Sequence, residues 1–132
     1  MYRKVWEQCK ASVCSIDFIS NAGTKIVSFT GFKVKNFLVT DDVVDKFAKP
    51  AEVHLRFTEA GVENKLSICM GFKEFINCRV KVDSEINPGF VLFDIEHKSF
   101  EGIPSLKSSR IFNHSVGLPI AVLGYQLDQE NL

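Results

Sequence analysis

Along most of this chain apolar and polar residues alternate with a period of two, which predicts strands rather than helices. The first clear case is residues 13–19, where Cys14, Ile16 and Phe18 fall on one face and Ser15 and Asp17 on the other. Asn21-Ala-Gly23 then turns the chain into residues 25–35, in which Phe32 and Val34 alternate with Lys33 and Lys35. Gly31 inside that run predicts a bulge or bend, because glycine weakens a strand interior and tolerates distorted backbone. Asn36 predicts the next tight turn, ahead of a short buried strand at 37–40. Thr40-Asp-Asp before Val43 reads as the capped start of one short helical turn that Pro50 ends.

Two longer strands follow at 52–57 and 65–70, joined by a hairpin-like connection containing Gly61, and residues 76–82 continue the alternation as a further strand. After Asn87-Pro-Gly89, residues 90–95 form a nearly continuous apolar strand. An irregular stretch with Gly102 and Pro104 leads to 117–125, the most apolar segment of the chain. Seven or eight short strands with little helix predict an all-β fold, a barrel or a sandwich.

The 132 residues fit a single domain, and 45% apolar with 24% charged residues is the balance of a protein with a true core. Sixteen basic and sixteen acidic residues cancel, so no global field favours a nucleic acid partner. No apolar stretch approaches the ~20 residues of a membrane helix, so no membrane span is expected. The first residues carry basic side chains with no apolar run after them, and the expected setting is cytoplasmic. Twelve Phe against two Tyr and one Trp predict a Phe-filled core with a surplus for an interface. Cys9, Cys14, Cys69 and Cys78 lack paired zinc-ligand spacing and read as buried free thiols; no metal or cofactor is expected.

Five segments, in order, carry a resemblance: Ser12-Val-Cys-Ser-Ile16, Gly31-Phe-Lys-Val34, Phe37-Leu-Val-Thr-Asp-Asp-Val-Val44, Gly89-Phe-Val-Leu-Phe-Asp-Ile95 and Val116-Gly-Leu-Pro-Ile-Ala-Val-Leu-Gly-Tyr-Gln-Leu-Asp128. Together they resemble the first β-barrel of the trypsin-like serine proteases, in their HtrA-type branch. The resemblance implies a six- to eight-stranded antiparallel barrel over residues 1–132, with 117–132 similar to the start of a second barrel.

That family cleaves peptide bonds with a serine nucleophile, a histidine base and an orienting aspartate. The position resembling the histidine falls on Val43, or within Asp41-Asp42-Val43, and the position resembling the aspartate falls on Gly89. The serine and oxyanion hole belong to the second barrel. His54, His97 and His114 read as strand or loop residues, and the Asp41-Asp42 pair reads as helix capping rather than acid–base chemistry.

The expected function is therefore a catalytically inactive, pseudoprotease-type interaction module. The alternative is the N-terminal half of a protease whose second barrel supplies the nucleophile. Pro119, Ile120, Val122, Leu123 and Tyr125 form the candidate binding strand, expected to pair with another protein or with a second copy of the chain.

Overall fold

The structure is a computed structural model and describes residues 9–42, 44, 49–58, 65–81 and 89–106. Six antiparallel strands build one sheet: β1 (Val13–Ile19), β2 (Lys25–Val34), β3 (Phe37–Asp41), β4 (Glu52–Thr58), β5 (Lys65–Gly71) and β6 (Phe90–Asp94). Their order across the sheet is β5-β4-β1-β2-β3-β6. The all-β expectation holds in this form, but the sheet is not closed into a barrel by a direct β5–β6 ladder. Short helices are more numerous than the one turn expected: a 3-10 turn at Lys10–Ser12, α1 (Phe72–Asn77) and α2 (Lys98–Glu101). The helical turn expected after Thr40 and the strand expected at 117–125 lie largely or wholly outside the described residues.

Helix α1 takes the first two residues of the strand expected at 76–82. Phe72 and Phe75 stand three residues apart, a spacing that turns both toward one side of a helix, and Phe75 is fully buried with Phe72 partly buried beside it. Burying two rings outweighs the weaker alternation that runs on through Ile76, which stays 38% exposed. The chain leaving the edge strand β5 thus crosses through α1 and lands on the outer side of β6. There Val80 donates its N–H to the Leu92 carbonyl at 2.9 Å, and Asp94 donates to the Cys78 carbonyl at 2.7 Å. Arg79 and Phe93 form an isolated antiparallel bridge.

Phenylalanine rings tie the sheet and α1 into one core. Phe18 meets Phe29, Phe72 and Phe75 edge-on at 5.1, 6.1 and 6.4 Å, and Phe75 stacks on Phe93 at 4.1 Å. Edge-to-face and offset contacts of this kind suit the ring quadrupole. Cys14, Ile16 and Phe18 point into this core as expected. On the opposite face of β1, Asp17 is also buried, and its carboxylate is satisfied. Ser15 and Ser28 donate hydroxyl hydrogen bonds to Oδ1 at 2.5 and 2.7 Å, and the Arg56 Nε lies 3.2 Å from Oδ2.

The bulge expected at Gly31 is absent. Gly31 sits in regular register between Cys14 and Thr40, and the irregularity of the β1–β2 ladder falls at Phe18/Ile19 instead. Close packing accounts for the glycine: a Cβ there would lie 2.7 Å from Ile16 Cδ1 and 3.2 Å from Cys14 Sγ. With no bulge to change parity, Val27, Phe29, Gly31 and Lys33 share the core face. Lys33 is therefore inside, 2% exposed.

Its ammonium group donates to the carbonyls of Phe100 at 2.7 Å, Ile103 at 2.8 Å and Glu101 at 3.3 Å, and stands 4.7 Å above the Phe100 ring. These carbonyls belong to the last turn of α2 and the residues after it, where helical partners run out. One buried cation thus pins the 98–103 segment under the sheet. Burial pushes the Lys33 amine below its ordinary value, against an opposing pull from Glu101. The Lys33→Met variant keeps the stem but leaves buried carbonyls without a donor, so it is expected to lose about 1–3 kcal/mol. Urea unfolding measures this, and an unchanged or raised midpoint would contradict the role given to Lys33.

Candidate functional site

The strands that place Lys33 inward place large apolar side chains outward on the other face of β2, β3 and β6. Register aligns them in rows. Phe32, Val39 and Leu92 stand directly opposite one another on the three strands, Val34 faces Phe37 in the row below, and Asp41 faces Phe90 in the row above. All the apolar members of these rows are half-buried or exposed, and Phe90 is 48% exposed. They line a groove of about 780 Å³ with Lys35 at one end and Asp41 and Gly89 at the other.

The turn at the Lys35 end is tight: Val34 pairs with Phe37, and Lys35 takes a positive φ of 54°. Leu106 joins this end. It forms a parallel bridge with Val34, and its N–H donates to the Lys33 carbonyl at 2.8 Å. Ser105 Oγ accepts the N–H of Lys35 at 2.5 Å. Leu106 thus lies at the rim of the groove.

At the opposite end the backbone of Asp42 meets that of Gly89. The N–H of Asp42, which directly precedes Val43, donates to the Gly89 carbonyl at 3.2 Å. Gly89 has φ +83°, a conformation that L side chains rarely adopt, so the turn itself favours glycine here. Val43, and the candidate strand residues Pro119, Ile120, Val122, Leu123 and Tyr125, lie outside the described residues.

One further row across the sheet joins residues of catalytic type: Ser28, Asp17, His54 and Cys69 are successive register partners on β2, β1, β4 and β5. Their bonds do not form a relay. Asp17 is engaged by Ser15, Ser28 and Arg56, while His54 Nε2 lies 3.0 Å from Glu52 Oε2. His97 caps α2, its Nδ1 accepting the Ser99 N–H at 3.1 Å. Among the described residues, no group of three or more His, Cys, Asp or Glu is arranged to hold a metal ion.

The thiols divide by burial, which corrects the expectation that all four are buried. Cys14 is buried, Cys9 and Cys78 are half-buried, and Cys69 is exposed on the edge strand. No helix among the described residues is long and apolar enough to cross a membrane. No family model matches this chain, and no curated protein or solved structure matches it.

Burial raises the Cys14 thiol far above its ordinary value of 9.0. Below that value both folded and unfolded chains hold the proton; above it only the unfolded chain releases it. Stability is therefore lost as pH rises, by about 1.4 kcal/mol per pH unit from this group alone. The Cys14→Ala variant, less stable at neutral pH, is expected to show a shallower alkaline loss in urea titrations between about pH 9 and 10.5. Equal slopes in the two proteins would overturn this assignment. In the native protein a disulfide-exchange reagent is expected to label Cys69 rapidly and Cys14 only on unfolding; early labelling of Cys14 would refute its burial.

Proposed function

We propose that this chain is a catalytically inert domain of trypsin-like type that serves as a protein–protein interaction module through the groove on β2, β3 and β6. The observation that carries the reading is that the sheet is apolar on both faces there, with no cover among the described residues. A patch of this kind on a folded domain marks a surface used for association.

The trypsin-like part of the reading is supported by topology. Strands β1-β2-β3 run consecutively, β6 follows β3 and β4 follows β1, which is the order of a six-stranded barrel cut between β5 and β6. The α1 segment and residues 78–80 span the cut. The inert part rests on Val43 and Gly89 at the positions resembling base and orienting acid. Neither supplies a titratable group. The partners are other protein chains, and the free cysteines fit a cytoplasmic, reducing setting.

A second reading is favoured by one feature, the groove's extension to Asp41 and Gly89, where a catalytic cleft would open in the resembled family. In it the chain is the N-terminal half of a protease completed by a second barrel.

Purified protein is expected to leave casein intact and to take up no fluorophosphonate probe. Labelling or hydrolysis that survives repurification would reject the inert reading. Activity gained only on adding a second barrel would select the alternative.

A further inference from the structure

The geometry points to a second copy of this chain as the occupant of the groove, packed on it face to face about a two-fold axis. The inference rests on the interaction reading above and names the partner of that surface.

The first observation is the distribution of charge. Lys35 and Asp41 are exposed and stand at opposite ends of the groove, and the row between them, Phe32, Val39 and Leu92, is wholly apolar. Asp94, the other acid in these rows, is exposed at the end of β6 and is not part of the lining. A surface with an apolar centre and one charge of each sign at its two ends becomes its own complement when its direction is reversed. An unrelated partner needs a matching pattern, whereas a second copy carries it already.

The second is register. Two copies of a sheet face can meet about a two-fold axis that runs along the strands or across them. An axis along the strands sets Lys35 over Lys35 and Asp41 over Asp41, and like charges so placed repel. An axis across the strands reverses their direction and sets the Lys35 end of each copy over the Asp41 end of the other. Passed through the middle row, it brings Phe32, Val39 and Leu92 against the same three residues of the second copy. Lys35 lies three residues past Phe32 (35 minus 32), and Asp41 lies two past Val39 (41 minus 39). At ~3.4 Å per residue the two offsets differ by about 3 Å, a gap that the flexible four-carbon stem of lysine spans. The interface is isologous, so the Lys35–Asp41 contact forms twice.

The third is size. Three strands side by side, five residues long as in β3 and β6, make a strip of about 14 by 17 Å. That is well short of the ~800 Å² each partner buries in a standard interface. Face-to-face packing of such strips, with side chains interdigitating between the sheets, gives a weak dimer in exchange with the single chain.

Sedimentation equilibrium on the full 132-residue chain between roughly 5 and 500 µM tests this, the range expected for an interface of this size. The expected result is a weight-average mass that climbs from that of one chain toward that of two and no further. Lys35→Glu and Asp41→Lys are each expected to weaken the dimer by about tenfold or more, since each reverses one member of both contacts. Mixed in equal amounts, the two variants are expected to dimerise with each other, because every contact across the mixed pair again joins opposite charges. Urea midpoints close to that of the unsubstituted chain show that both variants fold. Should Asp41→Lys fail to fold, carbodiimide coupling of the unsubstituted protein, from an equal mixture of isotopically light and heavy chains, is expected to join Lys35 of one chain to Asp41 of the other.

A dimer indifferent to both reversals, a mixture of variants that stays monomeric, or coupling that never links Lys35 to Asp41 between chains overturns the arrangement. A chain that is monomeric throughout the range overturns the second copy as occupant. If that monomer binds an apolar fluorescent dye, the interaction surface stands, with another protein as its partner. If it binds none, the surface falls as well.

Discussion

A cross-strand ladder admits no half-steps: once one pair of residues is in register, the side of the sheet taken by every other residue follows until a bulge intervenes. The unbroken pairing of β1 with β2 from Val13–Phe32 to Phe18–Val27 is that constraint here. It sets Val27, Phe29, Gly31 and Lys33 inward and Phe32 and Val34 outward. The two unusual features of the molecule, a cation inside the core and a band of apolar side chains outside it, are therefore consequences of one register.

Each consequence is balanced locally. The inward lysine is tolerated because its three donors meet three carbonyls at and after the end of α2, and because an aromatic face lies beneath it. The inward glycine is required because the side chains of Ile16, Leu38 and Cys14 occupy the volume a Cβ would need. The outward Phe32 and Val34 gain neighbours of their own kind from β3 and β6, which creates a continuous apolar surface instead of isolated exposed side chains. Packing, polar satisfaction and the candidate interaction site are thus coupled through one strand. A change of parity in β2 would expose Lys33, bury Phe32 and erase the groove together.

The topology adds a second layer of coupling. The edge strand β5 and the edge strand β6 are joined through α1, and the residues after α2 close back on β2 through Ser105 and Leu106. The same return path that leaves Lys33 satisfied brings the chain to the rim of the groove. Anchoring of the core and delivery of the chain to the candidate site are in that sense one device.

All six strands between Val13 and Asp94 were legible in the apolar pattern to within a residue at each end. Their apolar residues already marked the core, since a period of two is a local property that a strand displays wherever it packs. The uninterrupted apolar runs at 37–39 and 90–93 held the sign of the apolar outer face, because an antiparallel strand apolar at every position is apolar on both faces. Three matters depended on tertiary structure. Gly31 proved to be a packing glycine because residues distant in the chain crowd it. Residues 72–77 became helix because burying Phe72 and Phe75 against Phe18 and Phe93 outweighs a local alternation. The side of the sheet that became core was decided by which face α1, α2 and Lys33's carbonyl partners cover, a relation among residues up to 70 positions apart that no local pattern carries.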